Sequence, residues 1–190
     1  GVDYGNRALD WPKRRNPVSL VLANGMHLPF EDRTFDAVFC GCVFPHVGVI
    51  GDSNKPTEHF WNHRQQLANE MVRVTRHGGH VIACSPNRLF PFDIFHWRKP
   101  GCYRVTLNPP WSRFLLSVAD FRHLFTNAGG SEFQTLPVAG FWGFITMRKS
   151  FKGRLLSLPI RILFGLASRP AGAFLRSSPL MPWTTVTCRA

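Results

Sequence analysis

The sequence predicts an α/β protein built on a mostly parallel sheet, and three observations carry that expectation. Short apolar runs at Val18 to Leu22, Asp36 to Cys40 and Gly79 to Ser85 are rich in Val, Leu, Ile and Phe and are bounded by turn residues. Runs of this kind suit parallel strands covered on both faces. Between the second and third lies a polar stretch, His59 to Arg76, in which Leu67, Met71 and Val74 recur at helical spacing. Gly78-Gly79 is expected to stop that helix. Strand, helix and parallel strand in that order form the right-handed crossover unit of an α/β sheet.

The remaining elements follow in order. Gly1-Val2-Asp3 reads as the tail of a strand, so the chain is treated as amino-terminally shortened. Residues 88–118 form an insertion dense in Pro and aromatics, including Phe90, Phe92, Phe95, Trp97, Tyr103 and Trp111. So many aromatics argue against disorder, and the segment reads as an ordered cover over a pocket. A helix follows, with Ser117 or Ala119-Asp120 at its start and Ala128-Gly129-Gly130 at its end. Glu132 to Val138 reads as a strand. Residues 148–178 form a basic and apolar insertion in which Pro159 and Pro170 are expected to break or kink any helix. Trp183 to Cys188 closes the sheet. At 190 residues, 44% of them hydrophobic, the chain is expected to form one domain over 1–190.

Lys and Arg number 23 against 11 acids, for a net charge of +12, and no acid follows Glu132. That basic tail would be drawn to anionic lipid, phosphates or an acidic substrate, or is simply a solvated face. Five cysteines, an odd number without a C-x-x-C pair, suit a reducing compartment better than a disulfide framework. Cys40-x-Cys42 with His46 and His27 nearby invites a metal reading, but the paired ligands of a structural site are lacking, so no metal is expected. No apolar run approaches the length of a membrane-spanning helix.

Ligands of an open α/β sheet bind beyond the carboxyl ends of its strands. Asp3, with Tyr4 beside it, ends the first visible strand, where an acid can accept hydrogen bonds from both ribose hydroxyls of a nucleoside; the plainer reading is a turn-forming aspartate. Asn24, Gly25 and Met26 follow the next strand, where a side-chain amide can meet an adenine edge and a backbone N–H a ring nitrogen. Cys40-Gly41-Cys42 follows the third, and its small residues leave room for a ligand's aliphatic portion. His46 and His96-Trp97 are candidates on the substrate side, each with a packing role as the alternative.

These residues, in order and spacing, resemble the class I S-adenosylmethionine-dependent methyltransferases of the methyltransferase type 11 kind. The resemblance runs to about Gly130 and rests on Asp3 in Gly1-Val2-Asp3, on Asn24-Gly25-Met26-His27-Leu28-Pro29-Phe30, on Phe35-Asp36-Ala37-Val38, and on Arg73-Val74-Thr75-Arg76-His77-Gly78-Gly79. It implies a Rossmann-like seven-stranded sheet, mostly parallel with an antiparallel last strand, of which this chain supplies strands two to seven. It also implies an enzyme with S-adenosyl-L-methionine as cofactor, bound by Asp3, Tyr4, Asn24, Gly25, Met26, Cys40 and Gly41. His46 stands where such enzymes often carry a histidine within reach of the methyl group, where it would act as the base. Asn24 replaces the family's usual Asp, and the family's glycine-rich first loop would precede Gly1.

Ser85-Pro86-Asn87-Arg88-Leu89-Phe90-Pro91 resembles a stretch in methyltransferases of small-molecule and cell-envelope acceptors, which implies a small-molecule, lipid or glycosylated acceptor. The expected location is the cytoplasm, with peripheral contact to the inner, anionic face of the membrane through the basic tail; nucleic acid is not the expected partner. Two rival readings are a methyltransferase-like interaction protein without catalysis, binding anionic membrane or nucleic acid through its tail, and a sheet that takes a nicotinamide nucleotide instead.

Overall fold

A computed structural model of the chain describes residues 2–3, 19, 21–51, 55–93, 106–109, 111–138 and 151–190. Four strands form the main sheet: β3 (Phe35–Gly41), β4 (Thr75–Pro86), β7 (Ser131–Thr135) and β8 (Trp183–Arg189), in the order β3-β4-β8-β7. β3 and β4 are parallel, whereas β8 runs antiparallel to both β4 and β7. The last strand is therefore the one that runs against the others of this sheet. β1 (Val2–Asp3) and β2 (Val21–Leu22) make a separate parallel pair, and among the described residues no strand joins that pair to β3. The expected single sheet is thus present in two pieces. A short antiparallel hairpin, β5 (Phe92–Asp93) with β6 (Thr106–Leu107), belongs to the cover insertion.

Helix α1 (Phe60–Val74) and helix α2 (Val118–Asn127) bury their apolar stripes on the main sheet. Leu67, Ala68 and Met71 of α1 meet Phe121, Leu124 and Phe125 of α2, with Val81, Ala83 and Val186 beneath them. Phe44, from the turn after β3, stands edge-on to Phe121 and Phe125, with ring centroids 5.3 and 5.9 Å away. α2 begins at Ser117 with a capping box: Ser117 Oγ accepts from the Asp120 amide, and Asp120 accepts from the Ser117 amide.

One expectation fails for an identifiable reason, and another is met only as far as the helix course shows. α1 stops at Val74, before the glycines, because Thr75 turns extended at φ −85°, ψ 134°, while its hydroxyl donates to Met71 O at 2.7 Å. Gly78 and Gly79 lie inside β4. A Cβ on Gly79 would fall 2.8 Å from Asp36 O, so this glycine permits the close approach of β3, beside a register shift between Phe35 and Ala37. Pro159, in turn, sits within helix α3 (Phe151–Ser168) and does not end it. Pro159 and Leu155, whose carbonyl loses its helical donor, are both exposed residues. Pro170 opens the 3₁₀ segment Pro170–Ser177 that follows α3, as its fixed φ favours. A Cβ on Gly172 of that segment would collide with Leu166 O, so it also depends on glycine for close packing.

Gly79→Ala is expected to cost about 1–3 kcal/mol through forced separation of β3 and β4, measured as a lower denaturant midpoint with an unchanged slope.

Candidate functional site

The loop after β2 is shaped first by its own residues. Asn24 Oδ1 accepts from the Met26 amide at 3.0 Å and Asn24 O accepts from the His27 amide at 2.9 Å, closing a tight turn. A Cβ on Gly25 would lie 3.1 Å from Leu67 Cδ1, so the turn rests directly on α1. The return segment toward β3 is held by an ion pair at the other end of that helix. Glu70 accepts from the Leu28 amide at 2.7 Å and from Arg73 Nε at 2.6 Å, while Arg73 donates to Leu28 O, Phe30 O and Asp32. Arg73 and then the Leu28 amide hold the Glu70 carboxyl below the ordinary glutamate range. Asp3 pairs in register with Leu22, two residues before Asn24, which places an acid and an amide at neighbouring carboxyl ends of β1 and β2.

At the end of β3, Cys40 is packed into the core and burial pushes its thiol up to about 12, so it neither ionises nor faces a ligand space. Gly41, on the opposite face, is exposed, and its bare Cα lies beside the Phe39 ring. Cys42 follows in the left-handed region at φ 59°, its amide donating to Cys84 O at 2.8 Å. Its thiol hydrogen-bonds Cys84, which raises the Cys42 thiol and holds Cys84 below the usual thiol range. Tyr4, His96 and Trp97 lie outside the described residues, and so do residues 18 and 20 of the first expected strand.

His46 ends a 3₁₀ turn, Phe44–His46, with its ring edge-on to Phe114 at a centroid distance of 5.6 Å. Its position depends on a residue to which sequence reasoning gave no role. Arg64 of α1 is fully buried, and its guanidinium donates to Pro45 O, Val47 O, Arg113 O and Phe114 O at 2.8 to 3.3 Å. Burial lowers its pKa to about 10, which still leaves it charged at neutral pH. The signal was visible: Arg64, Leu67 and Met71 fall at i, i+3 and i+7, which puts an arginine on the apolar face of α1. The i,i+3 pair Glu70 and Arg73 was equally visible inside the motif, with no contact assigned to it.

Beside Arg64 opens a cleft of about 530 Å³ between the first turns of α1 and α2, lined by Glu58, Phe60, Trp61, Arg88, Arg113, Leu115 and Asp120. Arg88 crosses from the end of β4 to Asp120, with contacts of 3.0 and 3.3 Å. A second hollow shares Glu58, Phe60 and Arg113 with it and adds Lys55 and Trp111. His46 reaches this region through Phe114, whose sequence neighbours line the cleft, whereas Asn24, Gly25 and Met26 lie on the α1–β2 side. Among the described residues, no group of three His, Cys, Asp or Glu side chains is arranged to hold a metal.

Asp3 and Leu22 are register partners at neighbouring strand ends, and the Asn24–Gly25–Met26 turn follows two residues after Leu22. Residues 1–83 match a family model described as a methyltransferase domain. A search of curated proteins finds no match. Among solved structures, the fold is similar to an S-adenosylmethionine-dependent methyltransferase from Thermotoga maritima, described as a possible histamine N-methyltransferase (13% identity, TM-score 0.52, all of this chain and 72% of that one). It is also similar to a methyltransferase from Mesorhizobium loti that depends on the same cofactor (12%, 0.51, all of this chain and 79% of that one). A possible exported protein from Bordetella parapertussis is similar as well (13%, 0.54, all of this chain and 52% of that one). The chain thus spans about half of the last and roughly three quarters of the other two. The methyltransferase-domain match thus covers the first 83 residues, and the fold is similar to that of S-adenosylmethionine-dependent methyltransferases.

Two outcomes follow from the two anchors. Arg64→Lys replaces a planar fork by a single ammonium that cannot serve four carbonyls. It should destabilise by about 2–4 kcal/mol in urea unfolding and speed proteolysis between Val43 and Val47. Glu70, with its lowered folded pKa, stabilises above the ordinary glutamate value of about 4.3, and that contribution is lost as pH falls through the folded value. Thermal unfolding of wild type should therefore fall more steeply on acidification than that of Glu70→Gln, which starts lower.

Proposed function

We propose that this chain transfers the methyl group of S-adenosylmethionine to a small-molecule, lipid or glycosylated acceptor seated between the first turns of α1 and α2. The observation that carries the reading is the cleft there, about 530 Å³ in size, walled by Phe60, Trp61 and Leu115 and edged by Arg88 and Arg113. A hollow of that volume takes a small organic body. The rings and Leu115 suit an apolar part of the acceptor, and the exposed Arg113 suits a hydroxylated or anionic group.

When bound, the cofactor supplies a methyl group on a positively charged sulfur, open to in-line attack. The chain contributes alignment and shelter from water. Asp3 is assigned to the ribose hydroxyls, and Asn24 with the Gly25 and Met26 backbone to the adenine edge. For Asn24 to serve adenine, its Oδ1 must release the Met26 amide, which then becomes a donor for the ring. Gly41 and the backbone of Cys40 are assigned to the end of β3 beside the cofactor. For an acceptor that arrives protonated, His46 is the assigned base. Arg64 and Phe114 hold it in place.

Calorimetric titration of S-adenosylmethionine into the full-length protein should show binding, weakened about tenfold or more by Asp3→Ala, the loss of about 1.4 kcal/mol of charge-assisted hydrogen bonding. Absence of heat from wild type would overturn the cofactor assignment here. Unchanged affinity in the variant would overturn the role of Asp3 alone.

A further inference from the structure

α3 carries apolar side chains on two faces. Phe164 and Ala167, with Ile160 and Leu163 beside them, pack on Met181, Trp183 and Cys84. Leu155, Leu158, Ile162 and Leu166 are exposed by 63, 51, 56 and 45%. Their spacing of three, four and four residues puts them in one stripe, about 145° around the helix from the buried face. Such a stripe is costly in water, since each large side chain leaves 1–3 kcal/mol of burial unused, roughly.

The charge around the stripe is of one sign. Arg161 and Arg169 are exposed, and among the described residues neither is in an ion pair. No acid occurs anywhere in the chain after Glu132. Among the described residues, no helix is long and apolar enough to cross a bilayer, so α3 cannot be a span. We infer that α3 is an interfacial anchor: its Leu155–Leu166 stripe enters the surface of an anionic bilayer while Arg161 and Arg169 meet the lipid phosphates. A second copy of the chain fits less well, because an isologous contact would set arginine against arginine with no acid on the face. A nucleic acid would leave the leucine stripe without a partner. The inner face of α3 touches Trp183, which pairs with Pro86 at the carboxyl end of β4.

Co-sedimentation with vesicles tests this. The full-length protein should bind phosphatidylcholine vesicles containing phosphatidylglycerol and bind pure phosphatidylcholine at least about tenfold more weakly. Arg161→Gln with Arg169→Gln should weaken anionic-vesicle binding about 25-fold, each basic side chain near the surface contributing roughly fivefold. Leu158→Asp with Ile162→Asp should abolish binding while leaving the thermal unfolding temperature near that of wild type, because both residues are exposed. Failure of wild type to bind, or equal binding by the Asp variant, would overturn the inference. So would a dimer in sedimentation velocity that the same variant dissolves, since the stripe would then be covered by a second copy.

Discussion

A guanidinium taken wholly out of water must find acceptors for its N–H groups, and Arg64 finds four main-chain carbonyls. Two belong to the turn after β3 and two to the segment that leads into α2. Each is a group that would otherwise need water, so the cation and the two loops satisfy one another. Among the described residues no carboxylate touches Arg64; the nearest compensating charge that bears on it is Asp120, across the cleft. The position of His46, the packing of Phe114 and the mouth of the cleft all depend on this one side chain.

α1 works at both of its ends. Toward its start, Arg64 gathers Pro45 to Val47 and Arg113 to Phe114. Toward its end, Glu70 and Arg73 gather Leu28 to Asp32. Between them, Leu67 supports the Gly25 turn. One helix thus sets the loop after β2 and the loops beside the cleft relative to each other. Under the proposed reading, such alignment is what a methyl displacement asks of a protein.

Much of the fold was legible because it rests on local pattern. Short apolar runs marked β3 and β4, Ser117 or Ala119-Asp120 marked the start of α2, and the final apolar run marked β8, with its antiparallel sense implied by the resemblance. The end of α1 was not legible, since Gly78-Gly79 is a good helix stop in isolation. Its role in β4 comes from the nearness of Asp36 O, a contact across 43 residues of sequence. Whether Pro159 would end α3 was not legible either: the helix runs through it, and only packing decides which side of α3 is wet. In the site, the residue types at Asp3, Asn24 and His46 were readable, but the arginine and carboxylate contacts that hold their loops were not.

By itself, the sequence determined the α/β class, the order of the elements and the sign of the tail's charge. Periodicity, turn chemistry and residue type are carried by neighbours along the chain. Only the tertiary structure decided that Cys40 is a core residue, that Arg64 joins two loops 66 residues apart, from Val47 to Arg113, and that the outer stripe of α3 stays uncovered. Burial is a property of what arrives from elsewhere in the chain, and an arginine or a leucine reads the same in sequence whether it meets carbonyls, a core or solvent.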